Sequence, residues 1–132
     1  MVRNLVGLVI ALSLMVANSY AHHSFAAEYD GSKPVNVTGK IKRVEWLNPH
    51  IWFYVEGKDE ITGRTAVWGF SAAPPGMMAR RGIKKETLKL GETIRVEGFL
   101  ARDGSANASG GKVTFLDGRQ VFTASAEDNV PK

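Results

Sequence analysis

Apolar and polar positions begin to alternate at Val35, directly after the polar segment EYDGSKP. Val37 and Ile41 share the parity of Val35, which is typical of a β-strand with one buried face. The apolar parity then changes to Val44 and Trp46, and such a change indicates a strand that bends or carries a bulge midway. The pattern therefore predicts one long, bent first strand.

The pattern continues with a second and a third strand. An Asn-Pro dipeptide at 48–49 is a turn signal, and the segment HIWFYVEG follows it. This second strand has apolar or aromatic side chains on both faces, so both faces are expected to be covered. After the polar loop KDEITG, the segment RTAVWGF is predicted to be the third strand.

A helical segment is expected between the third and fourth strands. Pro74 and Pro75 can begin a helix, and Gly82 can end it. A second short turn is expected over residues 84–88. The fourth strand is predicted in ETIRVEGFLAR, which again has alternating apolar positions.

The last third of the chain is predicted to contain a loop and a hairpin. The Gly- and Ser-rich segment from Asp103 to Gly111 is interpreted as a flexible loop, and Asp117-Gly118 favours a tight hairpin after it. The tail from about Glu127 is expected to fray. Two sets of apolar residues compete for the buried face of the hairpin: Val113, Phe115 and Phe122 against Leu116 and Val121.

Three strands, a short helical segment and two or three further strands predict an all-β protein. A long bent first strand and a helix between the third and fourth strands match the OB-fold, a five-stranded Greek-key β-barrel. A β-sandwich is the alternative fold, although sandwiches more often lack such a helical insert.

Residues 1–21 have the layout of a secretory signal peptide. Arg3 gives a positive start, an apolar segment runs over residues 5–16, and Ser19-Tyr20-Ala21 supplies the small residues of a cleavage site. A retained membrane anchor is the alternative, but the apolar run is shorter than the roughly 20 residues of a spanning helix. We therefore predict a periplasmic or secreted protein, with residues 22–132 forming one domain and no transmembrane segment after processing.

Composition narrows the chemistry of this domain. Removal of residues 1–21 leaves 111 of the 132 residues, and loss of Arg3 lowers the net charge from +4 to +3. Such a mild basic excess outside the cytoplasm does not favour nucleic acid as a partner. The chain has no cysteine, which excludes disulfides, thiolate metal sites and thiol nucleophiles. No catalytic motif is recognisable in the rest of the sequence, so we do not predict an enzyme.

The three histidines, His22, His23 and His50, are the sharpest functional signal. Cleavage after Ala21 would make His22 the first residue, and its free amine and imidazole would then chelate a metal ion through two nitrogens. His50 could add a third nitrogen, and His23 could compete for that role. A site made of nitrogens suits Cu(II), which lies at the top of the divalent affinity order. Cleavage after Ser19 would place His22 third, which also gives a copper-binding terminus.

A structural interpretation of the histidines stays open beside this one. Two histidines at a new terminus are often solvated, and His50 can be a packed ring that hydrogen-bonds to the backbone. The protein would then be a metal-free ligand-binding or scaffold module of the cell envelope. Its ligand or partner protein would bind the aromatic face or the loop over residues 103–111. Trp46, Trp52 and Trp68 can line that face or belong to the core.

Two further groups of residues have both a functional and a structural interpretation. Met77 and Met78 are soft ligands suited to Cu(I), although adjacent methionines more often fill gaps in a core. The second group is basic and is interpreted as either a solvated helix face or a surface for an acidic partner. It consists of Arg80, Arg81, Lys84, Lys85 and Lys89.

Several segments resemble a bacterial family of exported proteins known only as domain of unknown function 6152. The segments are AHHSFAAEYD, GKIKRVEWLNPHIWFYV, GRTAVWGF with PPGMMARRG, LKLGETIRVEGFLARDGS and VTFLDGRQV. The resemblance covers essentially the whole chain after the signal peptide, and it implies the same compartment and domain extent. Such proteins usually carry a glutamate after the tryptophan of the third strand, where this chain has Gly69. The resemblance implies no established activity.

Overall fold

A computed structural model describes residues 25–124 of the protein. The predicted signal peptide, His22, His23 and the tail beyond residue 124 lie outside the described residues. The described chain is mostly β and forms one six-stranded sheet. Its strands are β1 (Tyr29–Glu45), β2 (Trp52–Asp59), β3 (Thr65–Ser71), β4 (Thr93–Ala101), β5 (Asn107–Phe115) and β6 (Gln120–Phe122).

The strand pairing runs in the order β3-β2-β1-β4-β5-β6, and neighbouring strands in this order are antiparallel. One further pairing joins β3 to β5 in parallel, from Gly69 opposite Asn107 to Ser71 opposite Ser109. The hydrogen-bonded neighbours therefore form a circuit of β1, β2, β3, β5 and β4 that returns to β1. Strand β6 is added to β5 outside this circuit.

The predicted bend in the first strand is confirmed. The register between β1 and β2 shifts between Ile41 and Arg43, where the apolar parity changes in the sequence. The strand also begins earlier than expected, because Tyr29 pairs with Ala101 of β4 and its ring is buried. A second irregularity between Tyr29 and Pro34 absorbs the polar residues that made this segment look like a loop. One 17-residue strand thus pairs with β2 on one side and β4 on the other.

Two glycines allow β1 and β2 to approach closely where the sheet curves. Gly39 lies opposite Gly57, and a Cβ on Gly39 would lie 2.2 Å from the carbonyl oxygen of Glu56. A Cβ on Gly57 would lie 2.2 Å from the carbonyl oxygen of Thr38. Since both obstacles are backbone atoms, neither position has room for any other residue.

The predicted helical insert is confirmed between β3 and β4. Helix α1 (Pro75–Arg80) begins after Pro74, and a 3-10 helix (Lys85–Thr87) follows it. Gly82 ends the first helix with a φ of 73°, a conformation that glycine adopts without steric cost. Among residues 25–124, no helix has the length and apolar character needed to cross a membrane.

The prediction of a loop over residues 103–111 is wrong for its second half, which is part of a strand. Strand β5 begins at Asn107, and the small residues Ala108, Ser109 and Gly110 are buried between β4 and β3. The strands approach so closely here that a Cβ on Gly98 of β4 would lie 1.7 Å from the carbonyl oxygen of Ser109. The Gly and Ser content thus reflects close packing of strands, and flexibility was the wrong interpretation.

The burial of the last hairpin divides both sets of residues that competed for its buried face. Val113 and Phe115 are buried in the core and Val121 packs against it, whereas Leu116 is 82% exposed and Phe122 is 61% exposed. Asp117-Gly118 does form the predicted tight turn, with a φ of 87° at Gly118. The largest fully buried side chains include Trp68, Phe53, Phe70, Ile41, Ile51, Met78, Ile94, Val37, Val55 and Val96.

Candidate functional site

His50 lies between the Asn48-Pro49 turn and β2, and its ring is half-buried. Nδ1 of the ring is 3.0 Å from the carbonyl oxygen of Ala72. Because a carbonyl oxygen can only accept, Nδ1 must carry the proton and donate. In the neutral ring Nε2 then keeps its lone pair, and no described residue hydrogen-bonds to this nitrogen. The ring is thus held in one orientation and one tautomer.

The backbone around His50 is anchored to the segment that follows β3. The amide of Ala72 donates to the carbonyl oxygen of Ile51 at 2.7 Å, and the amide of Ile51 donates to Ala73 at 3.4 Å. Ile51, Ala72 and Ala73 are all buried. Since core residues hold both partners of the Nδ1 hydrogen bond, the ring orientation follows from the packing of the core.

The first described residues pack on the sheet near this segment. The ring of Phe25 is 5.5 Å from that of Tyr29 and 6.2 Å from that of Phe99, centroid to centroid. Arg102 holds the same segment through hydrogen bonds to the carbonyl oxygens of Ala26 and Glu28.

Tyr29 connects this segment to the end of β3, which directly precedes Ala72, the hydrogen-bond partner of His50. The hydroxyl oxygen of Tyr29 is 2.6 Å from Oγ of Ser71, and Ser71 directly precedes Ala72. A chain of contacts thus runs from Phe25 through Tyr29 and the Ser71-Ala72 backbone to His50. His22 and His23 lie outside the described residues, two to three positions before Phe25.

The three tryptophans lie in different environments. Trp68 is buried in the core with 1% of its surface exposed, whereas Trp46 and Trp52 are half-buried. The guanidinium carbon of Arg64 lies 5.3 Å from the Trp68 ring, and Nε1 of Trp68 has no hydrogen-bond partner in the described part of the chain. The structure therefore does not bring the three rings together on one face.

A smaller aromatic group lies on the outer face of β2. The rings of Trp52 and Tyr54 are stacked at 6.4 Å with 24° between their planes. The guanidinium of Arg43 lies 4.0 Å from the Tyr54 ring and forms an ion pair with Glu45 at 3.3 Å. Trp52 and Tyr54 have the same strand parity as His50, so the aromatic group continues the side of the strand on which His50 lies.

Gly69 provides the seat for the Tyr54 ring. A Cβ at this position would lie 3.2 Å from the ring and 2.5 Å from Oδ1 of Asn107. A glutamate here, as the resemblance led us to expect, would require both side chains to move. Glycine at this position therefore leaves the space that the side chains of Tyr54 and Asn107 occupy.

The methionines and the basic residues divide between core and surface. Met78 is fully buried, and Sδ of the half-buried Met77 is 3.2 Å from Nη2 of Arg81. Arg81 also donates from Nη1 to the carbonyl oxygens of Phe122 and Ala124, at 3.0 and 2.7 Å. Its guanidinium thus holds the end of the sheet. All five basic residues are exposed, and Arg81 differs from Arg80, Lys84, Lys85 and Lys89 in these hydrogen bonds.

Asp59 is a buried charged residue that the sequence pattern did not single out. It ends β2, and its carboxylate accepts hydrogen bonds from the amides of Asn36, Ile61 and Thr62 and from the Thr62 hydroxyl. Burial alone would raise the pKa of this carboxyl, but the hydrogen bonds outweigh it and hold the pKa below its ordinary value. Asp59 therefore fixes the loop between β2 and β3 as a carboxylate.

A metal site would need ligands from more than one part of the chain. Within residues 25–124, no group of three or more His, Asp or Glu side chains lies close enough to hold a metal ion. A site of three such side chains that includes His50 would therefore need at least one ligand from outside the described residues.

Comparison with known proteins identifies one family. Searches of the curated proteins and of the solved structures gave no match. The profile of a family of unknown function, DUF6152, matches residues 10–111. This match covers well over half of the 132 residues and extends from the predicted signal peptide into β5. The chain therefore belongs to the DUF6152 family.

Proposed function

We propose that this protein is an exported copper-binding protein. Its Cu(II) site would consist of His50 and the amino-terminal His22, exposed by cleavage after Ala21, with His23 as an alternative ligand. The observation that carries the proposal is the fixed ring of His50, whose Nδ1 donates to Ala72 and whose Nε2 is left without a described partner. Metal-binding histidines commonly have this arrangement, because the second hydrogen bond sets the tautomer and the direction of the ligating nitrogen.

The packing of the first described residues supports a meeting of the two ligand groups. Phe25 lies on Tyr29, and Tyr29 is hydrogen-bonded to Ser71 beside the His50 anchor. His22 is three positions before this packed ring, and an extended chain spans about 3.3 to 3.6 Å per residue. The terminus would therefore lie within about 11 Å of a residue that is linked to His50 through Tyr29 and Ser71.

The choice of copper follows from the donor atoms. An amino-terminal histidine supplies an amine and an imidazole, and His50 supplies a second imidazole. Three nitrogens without a thiolate or a carboxylate favour a tetragonal Cu(II) site, and copper lies above zinc in the affinity order for nitrogen donors.

The proposal predicts the effect of one substitution on protein that begins at His22. Titration with Cu(II) should give a saturable d–d absorption band. His50→Ala should weaken the affinity by at least about 100-fold, since loss of a mere outer partner of a ligand already costs about 10- to 100-fold. Leu47→Ala, on the same turn and 62% exposed before substitution, is the matched control and should bind copper as the parent protein does.

Two results would contradict this proposal. An unchanged copper affinity in His50→Ala, together with a loss of about 1 to 3 kcal/mol of stability, would assign His50 a purely structural role. Equal affinity after addition of a methionine before His22 would exclude the terminal amine as a ligand. Mass spectrometry of the exported protein tests the predicted signal-peptide cleavage. Loss of 21 residues is expected, and retention of Met1 would contradict it.

The OB-fold is part of the same proposal. The circuit of β1, β2, β3, β5 and β4, with β3 parallel to β5, supports a five-stranded closed barrel. The helical insert between β3 and β4 and the bulged first strand agree with this topology. Nuclear Overhauser effects between β3 and β5, where Gly69 pairs with Asn107 and Ser71 with Ser109, would test the closure directly.

The stacked rings of Trp52 and Tyr54 favour a second candidate function, a metal-free module that binds a ligand or a partner protein. OB-folds commonly bind ligands on the surface of the second and third strands. This function predicts that Trp52→Ala abolishes capture of the natural ligand, whereas His50→Ala leaves it intact. The copper proposal predicts that His50→Ala lowers the copper affinity, whereas Trp52→Ala leaves it intact.

A further inference from the structure

A cavity of about 570 Å³ is lined by residues of β1, β4, β5 and β6 and of the loop after β2. Its floor follows one register row across four strands. Asn36 lies opposite Glu97, Glu97 lies opposite Lys112, and Lys112 lies opposite Phe122. The volume is within the range of roughly 300 to 1,000 Å³ that is typical of small-molecule sites.

The walls of the cavity are apolar and exposed. Ile61 comes from the loop after β2 and is 57% exposed, and Phe122 of β6 is 61% exposed. Phe99 and Pro34 add further apolar surface between them. Large apolar side chains that face a shared concave surface usually mark a binding site, whereas isolated ones need no explanation.

The charged groups of the cavity are already paired with the protein. Nζ of Lys112 lies 2.7 Å from a carboxylate oxygen of Glu97. Arg81 is held by the carbonyl oxygens of Phe122 and Ala124. The cavity therefore has no unpartnered charged group among the described residues, and an uncharged ligand fits such a site.

Asn36 provides a polar group that is not paired. Its Oδ1 is covered by protein and has no hydrogen-bond partner among the described residues. An unpaired buried acceptor is unfavourable, and Asn36 is one of the residues that line the cavity. A ligand whose N–H or O–H group reached this oxygen would complete its hydrogen bonding.

We propose that this cavity is a second binding site, for an uncharged and largely apolar small molecule that carries one hydrogen-bond donor. Ile61 and Phe122 would enclose the apolar body of the molecule, and Oδ1 of Asn36 would accept its hydrogen bond. The proposal does not rest on copper binding, because it uses Asn36, Ile61 and Phe122, and His50 is not among the described residues that line the cavity.

A fluorescent probe with these properties tests the proposal on protein that begins at His22. N-phenyl-1-naphthylamine is uncharged, has two aromatic groups and one N–H, and fluoresces strongly in apolar sites. It should bind with one saturable site, and its N-methylated analogue should bind about tenfold more weakly, since a good hydrogen bond is worth about one factor of ten. Asn36→Leu should make the two probes bind equally.

Two exposed positions give matched variants that do not disturb the core. Phe122→Ala should weaken binding of the probe by tenfold or more, whereas Leu116→Ala, in the same hairpin and outside the cavity, should leave it unchanged. Absence of saturable binding, or equal effects of Phe122→Ala and Leu116→Ala, would overturn the proposal. Failure of the copper titration would leave this result unaffected, so the two proposals fail separately.

Discussion

At the scale of single residues, the clearest energetic feature is the buried carboxylate of Asp59. Four hydrogen bonds from β1 and from the following turn converge on its two oxygens. An asparagine at this position would present an NH₂ group to donors that now meet an acceptor. The hydrogen bonds of Asp59 therefore hold the turn after β2 in place and keep its carboxyl ionised.

The first residue-scale prediction concerns Asp59→Asn. We expect a loss of about 1 to 3 kcal/mol in the free energy of unfolding at pH 7, because buried donors lose their acceptor. The pKa of Asp59 is lowered by folding, so its stabilisation is present above about pH 4, the unfolded value, and is lost as the pH falls through the folded pKa. Urea denaturation at pH 7 and pH 3 should show a difference between the two proteins that shrinks in acid.

Glu60→Gln is the control for this prediction, since Glu60 is exposed in the same turn. Its stability should stay within about 0.5 kcal/mol of the parent protein. A difference between Asp59→Asn and the parent protein that is as large at pH 3 as at pH 7 would show that the carboxylate charge does not contribute.

At the scale of elements, the meeting of β1 and β2 depends on the glycine pair at its bend. A Cβ on Gly39 would overlap the carbonyl oxygen of Glu56, whereas nothing lies within 4 Å of a Cβ on Gly31 in the same strand. We expect Gly39→Ala to lower the free energy of unfolding by more than about 3 kcal/mol, because the backbones must separate. Gly31→Ala should change it by less than about 1 kcal/mol.

Chemical denaturation of both variants measures this difference. Equal stability of Gly39→Ala and Gly31→Ala would show that the two strands can separate at this point without loss of pairing.

The elements also show which parts of the fold the sequence could predict. The change of parity at Val44 predicted the bulge, and the proline pair predicted the start of α1, since both signals act locally. The pairing of Tyr29 with Ala101 and the burial of Ser109 depend on residues far away in the chain. Small residues in β5 looked flexible because the sequence does not reveal which strand will pack against them.

The candidate site was predictable to a similar extent. His50 was singled out from composition, but its hydrogen bond to Ala72 joins positions 22 residues apart and requires the fold. The cavity lined by Ile61 and Phe122 could not be predicted. The pairing of β1, β4 and β5 between them brings these two residues to one cavity. Asp59 was missed for the same reason, since its partner Asn36 lies 23 residues earlier.

At the scale of the whole molecule, the strand circuit should unfold as one unit. The parallel β3–β5 pair links the two halves of the sheet on either side of the helical insert. We expect amide protons of β3 and β5 in this pair to exchange with the same protection free energy as those of β1 and β2, because each requires global opening. Amides of β6, which has three residues and pairs with β5 alone among the described strands, should exchange faster.

Hydrogen exchange followed by NMR measures these protection values site by site. Faster exchange in the β3–β5 pair than in β6 would indicate that the circuit opens locally at this junction.

The strand circuit also bears on self-association at high concentration. An unpaired strand edge is a template on which a second copy can add its own strand. In the described chain, β1 to β5 each pair with a neighbour on both sides over at least part of their length. Backbone carbonyls at the end of β6 also accept hydrogen bonds. Arg81 takes the carbonyl oxygen of Phe122, and the amide of Ala73 takes that of Thr123. Loss of Arg81 should therefore free the carbonyl oxygen of Phe122 at this edge and favour addition of a strand from a second copy.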